Sequence, residues 1–200
     1  MGDSGAARYD VILADPPWKF EYWVPGQGKK NGSRAAEAHY PVMDTADICR
    51  LPIADLAADN CVLFLWAVWP RIQDALDVIK AWGFTYKTKA FTWVKANPTG
   101  FGHFMGMGYY TRANDESCLL GVKGSMPVDA HDVLSILYFP VHRHSQKPED
   151  QYRRIERLYP GRRYLELFAR RKSRPGWHYW GNEVESDIVL APQQAELWEG

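Results

Sequence analysis

Cysteine is scarce in this sequence: three residues in 200, at Cys49, Cys61 and Cys118, none in a CxxC spacing. That argues against a disulfide framework and a thiolate zinc site, and it fits a reducing, cytoplasmic setting. No uninterrupted apolar run is long enough to span a bilayer, so no membrane partner is expected. Met1–Arg8 lacks the apolar core of a secretion signal. No internal repeat or low-complexity tract is present. Net charge is missing too: 24 basic residues balance 24 acidic ones, so global charge selects no partner. No G-x-G-x-x-G follows the first strand, which removes the usual N-terminal dinucleotide fingerprint. His142 and His144 have no further ligands at suitable spacing, so no metal is expected.

What is abundant is apolar and aromatic surface, 46% and 14% of the residues, with nine Trp. This is enough for one core in a single domain over 1–200, with 1–8 and 184–200 flexible or peripheral. Charge is unevenly spread. Residues 140–175 hold eleven Lys and Arg against four Asp and Glu, and residues 183–200 hold five acids and no base. That asymmetry permits nucleic-acid binding and equally describes two solvated faces.

Short buried strands are expected at 9–14 (YDVILA), 61–66 (CVLFLW), 86–94, 116–123, 135–139 and 164–169 (YLELFA). Helices are expected over 45–58, broken near Pro52, and over 70–82, where Ile72, Ala75, Leu76 and Ile79 share one face. A third runs over 148–159 with Pro at its first turn. Polar, Gly-containing stretches at 21–38, 97–114 and 124–134 read as loops. Strands alternating with helices predict an α/β fold: a mostly parallel twisted sheet with helices on both faces. In such sheets ligands sit beyond the C-terminal ends of the strands.

The chemistry begins at Asp15-Pro16-Pro17-Trp18, where the first strand ends. Two prolines stiffen the backbone and remove two N–H groups, leaving carbonyls to accept hydrogen bonds without a competing neighbouring donor. Asp15 adds a charged acceptor and Trp18 a flat π face. An aromatic amine, with two N–H donors on a flat ring, matches this set.

DPPW at a strand end resembles the signature of the β-class adenine-amine methyltransferases. This family includes the catalytic subunit of the eukaryotic messenger-RNA adenosine methyltransferase and many bacterial and phage relatives. His39-Tyr40-Pro41-Val42-Met43, Leu63-Phe64-Leu65-Trp66, Trp93-Val94-Lys95 and Leu119–Gly124 resemble family segments in order. So do Ser145-Gln146-Lys147-Pro148, Ile155–Leu158, Glu166–Arg170 and Gly181-Asn182. The ordered set covers roughly residues 9–183 and is specific where single members are weak.

The resemblance implies a Rossmann-like, S-adenosylmethionine-dependent fold in permuted motif order, with the catalytic motif before the cofactor motif. It implies that Asp15 and the Pro16 carbonyl, with Pro17 shaping the turn, accept the target amine, and that Trp18 stacks on the adenine. It implies a cofactor site of Asp15, Lys147, Glu166, Phe168, Arg170 and Asn182. Lys147 pairs with the cofactor carboxylate, while Phe168-Ala169-Arg170 replaces the usual glycine-rich turn. The family's adenosine contacts ahead of the DPPW strand have no counterpart in Met1–Arg8. Lys29, Lys30, Arg34, His39, Tyr40 and Arg112 are candidates for gripping the polynucleotide, and Arg153, Arg154, Arg157, Arg162 and Arg163 for phosphate contacts. The expected reaction is methyl transfer to the N(6) amine of adenine in DNA, by a homodimer or a pair with a related subunit. The alternatives are adenosine in RNA and an inactive nucleic-acid-binding partner. A hydrolase using Asp15 as nucleophile lacks an acid–base partner.

Overall fold

The computed structural model describes residues 8–19, 42–106, 108, 110–141 and 146–190, and the backbone of 22–24 and 28–30. Its framework is a seven-stranded sheet. In chain order the strands are β1 Tyr9–Ala14, β4 Ala57–Ala67, β5 Thr85–Ala96, β6 Asp115–Lys123, β7 Ile136–Pro140, β8 Tyr164–Leu167 and β9 Trp177–Trp180. A separate antiparallel hairpin pairs β2 Tyr22–Val24 with β3 Gly28–Lys30.

The sheet order is β7-β5-β6-β4-β1-β8-β9. β6 is antiparallel to both its neighbours, β4 and β5. The remaining pairs, β5–β7, β1–β4, β1–β8 and β8–β9, are parallel. One reversed strand has a local consequence. β6 starts at the edge where the parallel strands end, so its first residues join theirs at the ligand-binding edge.

Alternation along the strands sorts side chains between two cores. On one face Ile12, Ala14, Leu63 and Leu65 pack under Ile48, Ile53, Ala75, Val78 and Ile79. These come from α1 Thr45–Arg50, α2 Ile53–Leu56 and α3 Ile72–Ala81. On the other face Val11, Leu13, Val62, Phe64 and Trp66 pack under Tyr152, Ile155 and Tyr159, carried by α4 Asp150–Leu158 and its C-cap. Each fully buried large apolar side chain contributes about 1.5–3 kcal/mol. Gly121 in mid-β6 makes the fit on the α3 face possible: a Cβ there would lie 3.0 Å from Ile79 Cγ2 and 3.1 Å from Phe84 Cβ. The result is the expected α/β sheet, mostly parallel, with helices on both faces.

Several boundaries differ from the sequence pattern. Pro52 divides the expected 45–58 helix completely into α1 and α2, and its last residues join β4. The expected 70–82 helix opens with a 3-10 turn, Trp69–Arg71, that carries Pro70. It ends at Gly83, whose φ of 81° suits only glycine without strain. β9 lies outside the sequence pattern: it is a four-residue edge strand with Trp177, Tyr179 and Trp180 buried and His178 exposed, too short a run to show a period. The loop expected at 21–38 contains the β2–β3 hairpin. Among the described residues no helix is long and apolar enough to cross a membrane.

Candidate active site

The Asp15–Trp18 turn lies directly beyond β1 and is clamped by its neighbours. Trp18 Nε1 donates to the Trp66 carbonyl at 2.9 Å. Arg71 Nε donates to the Lys19 carbonyl at 2.6 Å. The Pro17 carbonyl accepts from Met43 N at 3.0 Å. The Pro16 carbonyl is not left without a neighbouring donor, as the paired prolines suggested: Trp18 N donates to it at 2.8 Å. With Pro17 lacking an N–H, the turn closes on the next donor along the chain. A carbonyl oxygen has two lone pairs, so it can accept one further hydrogen bond. Trp18 itself is 4% exposed and packs into the α3-side core with Met43, so it holds the turn from beneath.

Asp15 faces the α4 side, where four charges alternate. Lys147 Nζ lies 2.6 Å from Asp15 Oδ2 and 3.1 Å from Glu116 Oε2. Lys95 Nζ lies 2.5 Å from Glu116 Oε1. Lys147 comes from the turn before α4, Lys95 from the end of β5 and Glu116 from the start of reversed β6. The Lys147 side chain is 6% exposed, and that of Asp15 is 30% exposed and open to an incoming ligand. Lys147 also sits 5.4 Å above the Trp66 ring, whose Nε1 donates to Gln151 Oε1 at 2.7 Å.

Burial alone would lower the Lys147 ammonium, but Asp15 and Glu116 hold it well above the ordinary lysine value. Burial likewise pushes Glu116 up, yet Lys147 and Lys95 bring it below the usual carboxylate range. Asp15 ends higher than an ordinary aspartate, because burial and nearby Glu116 outweigh the pull of Lys147. The site thus offers a fixed cation and a carboxylate that a bound amine can engage.

Glu166 of β8 stands on the same face, accepting from Tyr152 Oη at 2.9 Å. Burial pushes its carboxyl up to about 8, opposed by the Tyr152 hydrogen bond and reinforced by Asp15. A carboxyl raised in the folded state binds its proton more tightly there than in the unfolded chain. Its contribution to stability is therefore full below the ordinary value of 4.5 and is lost as pH rises through about 8. Glu166→Gln keeps the acceptor for Tyr152 and removes the titration. Thermal melts across this range should show the wild type losing stability relative to Glu166→Gln as pH rises. Parallel curves would refute the assignment.

Phe168 follows β8 with φ of 60°, the one left-handed non-glycine among the described residues. Such a conformation costs about 1–3 kcal/mol. Phe168 thus takes the backbone shape that glycine would take at that turn. Its ring meets Trp180 edge-on at 5.4 Å. Close by, Gly181 approaches so tightly that a Cβ would lie 2.1 Å from the Ala169 carbonyl. Arg170 Nε donates to Glu183 Oε1 at 2.6 Å, and Asn182 is exposed beside it.

The structure therefore brings Asp15, Pro16, Lys147 and Glu166 together at one strand edge, with Phe168, Arg170 and Asn182 at the end of β8 and β9. Glu116 and Lys95, which the sequence reading did not single out, join them. Their signal was present in Trp93-Val94-Lys95 and Glu116–Lys123, but only the reversal of β6 makes them neighbours. Lys29 and Lys30 lie on the backbone of β3. Arg34, His39 and Tyr40 lie outside the described residues, and Arg112 is exposed. The arginines considered for phosphate contacts are engaged locally in part: Arg153 and Arg154 pair with Asp150, and Arg157 with Asp132.

A family model described as MT-A70 matches residues 9–183. The chain is 31% identical over 205 residues to the type II methyltransferase M.MunI of Mycoplasma sp, covering 95% of this chain and 84% of that protein. It is 30% identical over 195 residues to the human N(6)-adenosine-methyltransferase catalytic subunit METTL3, covering 92% of this chain and 30% of that protein. It is 28% identical over 178 residues to an N(6)-adenosine-methyltransferase MT-A70-like protein of Arabidopsis thaliana, covering 88% and 24%.

Proposed function

The chain belongs to the MT-A70 family, and from that premise we propose that it transfers a methyl group from S-adenosylmethionine to the exocyclic N(6) amine of adenine in DNA. The observation that carries this reading is Asp15. It is a part-exposed carboxylate at a strand's C-terminal end, 2.6 Å from a buried lysine and next to the Pro16 carbonyl, which can accept a further hydrogen bond. Two acceptors on one turn suit the two N–H groups of an aromatic amine.

The donor set also fits the cofactor. Lys147 would meet its carboxylate, Glu166 and Asn182 its ribose hydroxyls, and Phe168 an apolar part. Glu166, protonated over much of the neutral range, can donate as well as accept. When bound, S-adenosylmethionine supplies a methyl group already activated on a sulfonium, so this chain's residues need only position and stabilise. Asp15 and the Pro16 carbonyl hold the amine by its N–H groups. As that nitrogen takes the methyl group, the methyl carbon–sulfur bond breaks with its electron pair left on sulfur; the nitrogen becomes cationic, the Asp15 carboxylate stabilises the charge, and the surplus N–H proton is then lost to solvent. Fixed orientation contributes up to about 7–11 kcal/mol of the barrier reduction.

DNA is the preferred polymer because the likeness to the type II methyltransferase extends over 84% of that protein. The N(6)-adenosine-methyltransferases, matched over 30% or less of their length, support adenosine in RNA as the second reading. The test is to incubate the protein with labelled S-adenosylmethionine and matched DNA and RNA, single- and double-stranded, then to digest and identify the product. N(6)-methyladenine in DNA is the expected outcome. N(6)-methyladenosine in RNA alone would overturn the polymer assignment, and label on another base the reaction.

A further inference from the structure

Six of the described tryptophans are at most 8% exposed: Trp18, Trp66, Trp82, Trp93, Trp177 and Trp180. Trp69 is 54% exposed. Its indole N–H is nonetheless used, donating to Asp115 Oδ2 at 3.0 Å. An exposed indole whose one polar atom is anchored internally is held in orientation and still offers ring surface to solvent.

Its position ties it to the site. Trp69 lies two residues beyond the end of β4. The same short segment grips the far end of the Asp15–Trp18 turn twice, through the Trp66 carbonyl to Trp18 and through Arg71 to the Lys19 carbonyl. Indole and turn are therefore braced as one unit. Asp115, the anchor, immediately precedes Glu116 on β6, so alternation puts their side chains on opposite faces of the sheet. Glu116 faces Lys147 and Asp15. Trp69 thus stands across the strand ends from the carboxylate that would take the amine, at the rim rather than in the pocket. The cations of the gripping contacts are themselves paired, Lys19 with Asp44 at 3.2 Å and Arg71 with Asp74 at 3.1 Å, so what this rim offers is the indole face.

A base drawn out of its stack leaves neighbours with uncovered π faces, and aromatic side chains bind such faces regardless of sequence. We propose that Trp69 is a stacking platform for a nucleobase adjacent to the target adenine. This rests on the methyltransferase reading above and assigns the stacking surface to Trp69, while buried Trp18 supports the turn.

The test measures binding of a fluorescent adenine-containing oligonucleotide by anisotropy, separately from methyl transfer. Trp69→Ala should weaken binding about tenfold, with S-adenosylmethionine affinity and melting temperature unchanged. Trp69→Phe should retain most of the affinity. Asp115→Asn, which weakens the anchor, should fall between the two. An abasic site next to the target adenine should weaken binding by the wild type and have little further effect on Trp69→Ala. Wild-type affinity in Trp69→Ala would overturn the platform. So would an effect of that variant on oligomer mass alone, which marks a protein contact, or a wild type that binds no nucleic acid. Trp69-dependent binding without any methylation would sustain the platform while sinking the proposed reaction.

Discussion

Asp15→Asn is expected to cut the single-turnover rate of methyl transfer by about 10²–10³-fold, the scale seen when a preorganised charge-stabilising group is removed. The substitution keeps the side chain's shape and one acceptor oxygen, so the amine can still be held. What it removes is the negative charge beside a nitrogen that becomes cationic. Lys147 keeps its second partner, Glu116 at 3.1 Å, so cofactor affinity should remain near the wild-type value. The pH profile separates this role from a structural one. Burial raises Asp15 above the ordinary aspartate value, and only its ionised form stabilises the transition state. The wild-type rate should therefore climb with pH along an acid limb displaced upward, and Asp15→Asn should lack that limb. An Asp15→Asn variant with wild-type turnover would sink the mechanism.

The turn that carries this chemistry was legible because it is local. Residues 9–14 are continuously apolar, and Asp-Pro-Pro cannot extend the strand, so the strand end and its acceptors were visible together. Lys147 and Glu166 were legible only as parts of the family resemblance, since 132 residues separate Lys147 from Asp15. Glu116 and Lys95 were missed for a topological reason. Strand direction is not written in the composition of a nine-residue strand such as β6, yet reversing it is what carries Glu116 to the ligand edge. Trp18 and Trp69 show the complementary limit. Asp-Pro-Pro-Trp singles out Trp18, yet packing buries its ring, while Trp69 stands in no motif and the Asp115 anchor displays it. Phe168 stands where the family resemblance implies a glycine-rich turn. The chain keeps the glycine-like backbone there and holds it by burying the ring against Trp180.

Lys147→Met should have the largest effect on the fold as well as on cofactor binding. The methionine keeps an unbranched stem over the Trp66 ring and deletes the charge shared by two carboxylates. Removing one partner of a buried ion pair costs about 3–5 kcal/mol because the other is left uncompensated. With the Asp15 side chain 30% exposed, the lower end, about 3 kcal/mol, applies. For a chain of this length that lowers the melting temperature by about 6–12 °C. The loss should depend on pH in a stated direction. Without Lys147, Asp15 faces Glu116 as a like charge with no close cation of its own, whereas Glu116 keeps Lys95 at 2.5 Å, so Asp15 binds its proton more tightly than in the unfolded chain. The variant's deficit should therefore be greatest at neutral pH and shrink as pH falls through the carboxylate range. Adding Asp15→Asn removes the repulsion and leaves the Glu116–Lys95 pair intact, so the double variant should melt above Lys147→Met alone, although it carries one more substitution. Cofactor binding should not return with the stability, because the cation that meets the carboxylate is still missing. Recovery of both together would show that Lys147 serves the fold and not the ligand.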